Sequence, residues 1–147
     1  MPRPGALHHL TLWVDDLEAS LPAWDWLLAR LGHPQHRRWA GGASWQLGSS
    51  YLVVEQSTDR IPGPHERLRA GLNHLAFRVG PWSELEDVVA QAPEHGWTLM
   101  YPDVHPWAGG HEHCAGYLED AAGFEVELVL DESVPAEPAQ EPDRVIT

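Results

Sequence analysis

The chain has 147 residues, 43% of them hydrophobic, which suits one globular domain or two small fused modules sharing a core. Nine basic residues against 22 acidic ones give a formal charge of −13, which opposes non-specific binding to nucleic acid or anionic membrane. All nine are arginine, so Schiff-base chemistry on a lysine is excluded, and the single cysteine, Cys114, excludes an internal disulfide framework or a Cys-rich zinc site.

In chain order, Leu7-His8-His9-Leu10-Thr11-Leu12-Trp13-Val14 alternates strictly and predicts a strand over about 6–14. Leu10, Leu12 and Val14 share one face with His8, while His9, Thr11 and Trp13 share the other. Asp15-Asp16-Leu17-Glu18 reads as a capping-box variant, and Leu17, Leu21, Trp24, Leu27, Leu28 and Leu31 keep a helical period over 16–31. Gly32 and Pro34 stop that helix. Three short strands follow at about 36–40, 43–48 and 51–56, separated by Gly41-Gly42 and Gly48-Ser49-Ser50. Residues 1–56 therefore read as a βαβββ module, and 57–71, with Pro62, Gly63 and Pro64, as a linker.

The pattern then recurs. Leu72-Asn73-His74-Leu75-Ala76-Phe77-Arg78-Val79 repeats the first strand, with His74 where His9 stood, and Ser83-Glu84-Leu85-Glu86 reads as a second capping box. A helix over about 83–94, a stop at Gly96 and a strand near Trp97–Met100 follow. A turn-rich loop covers 101–112, and strands near 113–119 and 124–130 close the second module, 72–130. Residues 131–147 are acidic and Pro-rich without periodicity, and read as a flexible tail. Two related modules imply a duplication. No apolar run approaches a membrane span and no apolar leader precedes the first strand, so a cytoplasmic protein is expected.

Four residues stand out at matched points of the repeat. The opening strands leave His9 and His74 off their apolar faces. In the closing strands Val54, and then Val126, Leu128 and Leu130, form the apolar face, so Glu55 and Glu127 point the other way. A lone strand histidine is more often structural, but two His and two Glu recurring together argue for ligands. If the modules pair so that their sheets make one trough, the four converge. A mixed His/carboxylate set suits Zn, Ni, Co, Mn or Fe(II), leaving open positions for a substrate oxygen or water. His8 shares the apolar face and is not expected to ligate. Glu125 shares a face with Glu127 and competes with it, but Glu127 is preferred as the match to Glu55.

These segments, together with Tyr117-Leu118-Glu119-Asp120-Ala121-Ala122-Gly123-Phe124-Glu125-Val126-Glu127-Leu128, resemble the vicinal oxygen chelate superfamily of glyoxalases, extradiol dioxygenases and bleomycin-resistance proteins. The resemblance covers about residues 6–130. It implies an α+β fold in which two tandem βαβββ modules pair into a curved mixed-sheet trough. By analogy with glyoxalase I, His9, Glu55, His74 and Glu127 would hold a divalent metal ion, with Glu127 the base that takes a proton beside a carbonyl. By analogy with extradiol dioxygenases, His9, His74 and Glu127 would hold Fe(II), with Tyr117 nearby; the additional catalytic histidine of that branch has no clear counterpart, although His111 and His113 lie in the right region. Glu55 favours the four-ligand reading. The basic residues that hold glutathione in thiol-conjugate glyoxalases do not map onto this sequence, where Arg37, Arg38 and Arg78 are only candidates, so a glutathione-dependent glyoxalase is not expected.

Among eight tryptophans, Trp24 fits the core stripe of the first helix, while Trp13, Trp45 and Trp107 are read as walls of the trough. Trp13, Arg78, Trp107, His111, His113 and Tyr117 are the expected substrate contacts. The loop carrying His105, His111 and His113 has the composition of a lid. Cys114 reads as a small buried residue. The expected protein is a homodimeric, metal-dependent lyase or isomerase for a small molecule with vicinal oxygens. Extradiol ring cleavage, or a binding protein that sequesters an aromatic drug or metabolite, are the alternatives.

Overall fold

The computed structural model describes residues 2–130; the tail expected at 131–147 lies outside the described residues. The chain forms two consecutive βαβββ modules, each with its own four-stranded mixed sheet. The first comprises β1 (His9–Trp13), α1 (Leu17–Arg30), β2 (Gln35–Trp39), β3 (Gly42–Leu47) and β4 (Ser50–Glu55), in sheet order β1-β4-β3-β2. The second comprises β5 (His74–Val79), α2 (Trp82–Gln91), a short 3₁₀ turn (Ala92–His95), β6 (Trp97–Met100), β7 (Ala115–Asp120) and β8 (Glu125–Leu130), in order β5-β8-β7-β6. In each sheet the opening strand runs parallel to the closing one and the other pairs are antiparallel. Among the described residues no helix is long and apolar enough to cross a membrane.

The helix starts differ in detail from the expected capping boxes. Asp16, not Asp15, caps α1 by accepting from the Ala19 amide at 3.1 Å, and Asp15 instead pairs with Arg60 at 2.9 Å. At α2 the residue in the cap position is Pro81, which has no side-chain acceptor, and Ser83 lies inside the first turn. The Pro81 carbonyl takes the Glu84 and Leu85 amides instead.

One core spans both modules, with Trp24, Trp45 and Trp97 fully buried at its centre. Trp24 on α1 packs edge-on against Trp97 of β6 and Phe124, and donates its indole N–H to Asp120 of β7 at 3.1 Å. Trp97 donates back to the Ala23 carbonyl at 2.8 Å. Arg30 and Glu84 join α1 to α2 at 3.1 Å. The modules thus meet through the side that carries the helices. Trp45, expected as a trough wall, belongs to this core and donates to Asp25 on α1, because it alternates with the open-face residues of β3.

Candidate active site

Each sheet keeps one face off the core, and strand register lays out its residues row by row. On the first sheet, one row runs Gln46, Tyr51 and His9 across β3, β4 and β1; the next runs Arg37, Ser44, Val53 and Thr11 from β2 to β1; the last runs Trp39, Gly42, Glu55 and Trp13. On the second sheet His74 pairs with Glu125, Ala76 with Glu127 and Arg78 with Val129, while Tyr117 and Glu119 on β7 face Glu127 and Glu125.

This register revises one correspondence in the repeat. Glu127 stands two residues beyond the partner of His74, and the same step from the partner of His9 reaches Val53, not Glu55. Glu55 occupies the place that Val129 holds in the second module. Counting from the end of the apolar run conceals this two-residue offset, because both positions share one face.

Glu127 is the focus of the second open face. It is 5% exposed, and its carboxylate is reached from three elements. His74 Nε2 of β5 lies 3.0 Å from Oε2, the Tyr117 hydroxyl of β7 donates to Oε1 at 3.0 Å, and His113 Nε2 from the loop before β7 bonds the same oxygen. Burial acts to raise the Glu127 pKa, but the His113 and Tyr117 hydrogen bonds and the His113 and His74 charges outweigh it, so the net direction is downward. Burial first, and then the neighbouring Glu127, push the Tyr117 phenol up from 10 to about 12. Gly109 lets the loop close onto this cluster: a Cβ there would lie 2.6 Å from the His113 ring and 2.6 Å from the Tyr117 hydroxyl.

The orientation of His74 is informative. Asn73 Nδ2 donates to the Arg67 carbonyl at 3.1 Å, which fixes its amide and turns Oδ1 toward His74 Nδ1 at 2.7 Å. Nδ1 must therefore carry hydrogen, and Nε2 faces a carboxylate oxygen. Two lone pairs cannot face each other at 3.0 Å; a proton or a metal cation must lie between them. Asn73 orients the His74 ring, a contact that strand alternation does not reveal because it depends on the Arg67 carbonyl.

His9 and Glu55 lie elsewhere, in a cavity of about 480 Å³ on the first sheet, lined also by Thr11, His36, Arg37, Trp39, Ser44, Gln46, Tyr51 and Val53. His9 stacks on Tyr51 at 4.9 Å and its Nδ1 lies 2.9 Å from that of His8, leaving Nε2 toward the open face without a partner among the described residues. Neither His74 nor Glu127 lines this cavity. Among the described residues, no group of three or more His, Cys, Asp or Glu is placed to hold a metal ion. His9 with Glu55 and His74 with Glu127 thus stand one pair to each module, on the open faces of the two sheets.

The remaining expected contacts fall in different places. Trp13 is half-exposed beside Glu55. Arg78 shares the face of His74 and lines a separate groove with Arg30 and Glu84. Trp107 and His111 are exposed in the loop, and neither reaches Glu127. His105 is held by Glu86 at 2.8 Å, and Cys114 is partly buried, with its thiol pKa raised by burial and then by Glu86.

Residues 8–117 match the model of the Glyoxalase/Bleomycin resistance protein/Dioxygenase superfamily. The chain belongs to this superfamily. Within it, an uncharacterized Bacillus subtilis (strain 168) protein, YqjT, is 39% identical over 124 residues, which are 84% of this chain and 97% of that protein. The crystal structure of a protein from Bacillus halodurans described as a glyoxalase is 40% identical with a TM-score of 0.81, covering 87% of this chain and 97% of that one. A glyoxalase/bleomycin resistance protein from Albidiferax ferrireducens T118 shares the fold at 19% identity and a TM-score of 0.67, over 85% of this chain and 98% of that one.

Proposed function

We propose that this superfamily member is a metal-dependent lyase or isomerase for a small molecule that chelates through two adjacent oxygens. Each site is built from His9 of one copy and His74 and Glu127 of another in a homodimer. The observation that carries this reading is His74 Nε2 held against the Glu127 carboxylate at 3.0 Å, with Nδ1 already committed to Asn73. A hydrogen-bond acceptor on Nδ1 fixes the tautomer and the ring orientation that a histidine needs to offer Nε2 to a metal. Two imidazoles and a carboxylate suit Zn, Ni, Co, Mn or Fe(II). His9 has a free Nε2 on an open sheet face, and the covered helix-bearing side of each module leaves that face for a second copy. Such an isologous dimer brings the two kinds of half-site together twice.

A metal bound there supplies Lewis-acid polarisation of a substrate carbonyl. Glu127, kept ionised by its hydrogen bonds, takes the proton from the carbon beside that carbonyl and returns it to the neighbouring carbon or to the leaving group. His113 and Tyr117 share one carboxylate oxygen and hold the carboxylate in place. The loop bearing Gly109 covers that side and limits water access. Glu55 sits one row away from the position equivalent to Glu127 and serves as a substrate contact beside Trp13.

The offset of Glu55 favours one second reading. Val53 at the matching position reduces the equivalent set to two His and one carboxylate, the donor set of Fe(II) oxygenases. Ring-opening of a catechol is then the alternative chemistry. Equilibrium dialysis of chelator-stripped protein against each metal separates the readings. The proposal expects one equivalent per chain, lost in His74→Ala, with Zn-, Ni- or Co-loaded protein exchanging solvent deuterium into an α-hydroxy ketone. Oxygen uptake on a catechol by the Fe(II)-loaded protein, without exchange, would establish the second reading. No metal uptake would leave an aromatic-lined binding protein.

A further inference from the structure

We propose that the open face of the first module selects a planar group carrying a negative charge, with Trp39 as the stacking surface and Arg37 as the counter-charge. This deepens the function proposed above and rests on it only for the chelating end of the molecule at His9.

Two adjacent arginines on β2, Arg37 and Arg38, have opposite surroundings. Arg38 is fully engaged: it binds Glu18 on α1 at 2.6 Å and the Gly42 carbonyl at 3.0 Å, and so ties the sheet edge to the helix. Arg37 has no ion pair or hydrogen bond among the described residues, and it lines the 480 Å³ cavity. An unpaired guanidinium lining a cavity, in a chain of formal charge −13, is a counter-charge kept for something that enters from outside.

The second observation is a break in the β2–β3 register between Gln35 and Arg37. In a regular strand neighbouring residues point to opposite faces, so His36 and Arg37 would not both line one cavity. The irregularity lets them do so, and bulges recur beside binding sites for this reason. Both donors are thereby concentrated at the β2 edge.

The third is the placement of Trp39. Its ring lies across Gly42, where a Cβ would come within 2.5 Å of Cζ2 and 2.8 Å of Cε2. Only glycine allows this close packing. It holds the indole while leaving Trp39 41% exposed at the cavity. Among the described residues Glu55 is the one carboxylate in the lining, and it stands in the Trp39 row, next to Gly42. It repels a negative charge placed over that row and directs it toward Arg37 and His36, while the planar body lies on Trp39.

Register also sets a length. Arg37 on β2 and His9 on β1 are on the two edges of the sheet, three strand spacings or about 14 Å apart at the backbone. After the arginine side chain reaches inward, a molecule anchored at His9 must still be about two fused rings long to meet it. The chemical class is thus a flat, two-ring-sized organic anion, a carboxylate or phosphate, with its oxygens for chelation at the opposite end.

The test is isothermal titration of the full chain, stripped of metal with chelator, with naphthoate and with its uncharged alcohol and amine counterparts. Metal uptake is measured separately by dialysis. We expect naphthoate to bind roughly tenfold more tightly than the alcohol and the amine to be the weakest, a difference worth one charge-assisted pair. Arg37→Gln should abolish the preference for the acid while leaving alcohol binding and metal uptake unchanged. Trp39→Leu should weaken acid and alcohol together. Equal binding of acid and alcohol, no saturable binding of the acid, or an unaltered preference in Arg37→Gln would overturn the proposal. Loss of metal uptake with the acid preference intact would overturn only the metal-dependent function.

Discussion

The Glu127 carboxylate, nearly closed off from solvent, is contacted by His74, His113 and Tyr117. Alternation identifies it as an open-face carboxylate. The three groups that converge on it come from β5, β7 and a loop, and only the fold brings them together. His74 is legible from the repeated strand pattern, Tyr117 from the family resemblance, and His113 as one of several loop histidines. Asn73 and Gly109 were not legible in their roles, since each acts through a contact with backbone or side chains remote from its neighbours in sequence. Gly109→Ala should therefore disturb the cluster more than the fold. We expect it to reduce metal affinity by about tenfold through displacement of His113 and Tyr117, with little change in thermal unfolding, as measured by metal titration and by calorimetry on the same samples. The offset between Glu55 and Glu127 belongs to the same scale. A two-residue shift keeps the face and changes the row, so side-chain alternation cannot detect it while strand pairing reveals it at once.

At the scale of elements, the strands are legible in the sequence to within a few residues because their alternation and glycine punctuation agree. The capping boxes were read less well, since several carboxylates and hydroxyls cluster at each helix start and only backbone geometry selects among them. The bulge in β2 has no sequence signature, and it decides which residues face the cavity. The element joining the modules is α1, through Trp24 and Asp120. Asp120 is buried, and its carboxylate accepts from the Trp24 indole and from the Ala122 and Phe124 amides. Asp120→Ala should destabilise the chain by about 2–4 kcal/mol, read by urea denaturation, because it strands buried donors. Burial raises the Asp120 pKa despite these hydrogen bonds. A carboxyl with a raised folded pKa adds stability that is full below its unfolded value and is lost as pH rises through the folded one. Wild type should thus lose stability relative to Asp120→Asn as pH rises through the acid range, and a gap that widens in the opposite direction would refute that assignment.

On the scale of the whole molecule, the duplication predicts the two modules but not which sides of them meet. Leucines, valines and tryptophans define a buried face for each sheet, and that information is the same whether the open faces meet within a chain or between copies. Trp24 with Trp97 and Phe124, and Arg30 with Glu84, form contacts between the modules on the helix side, and the proposed site draws on the open faces of two copies. The proposed shared site requires a dimer, so the wild-type chain should sediment at twice its 16.4 kDa mass. The decisive measurement is complementation of metal binding between His9→Ala and His74→Ala. Each variant alone should bind no metal, because every site in its homodimer lacks one imidazole. After mixing and subunit exchange, each mixed dimer regains one site with both histidines, so the mixture should recover about one quarter of the wild-type capacity. A mixture that binds no more metal than the separate variants, while the wild type binds its full equivalent, would place the site within a single chain and contradict the shared-site account.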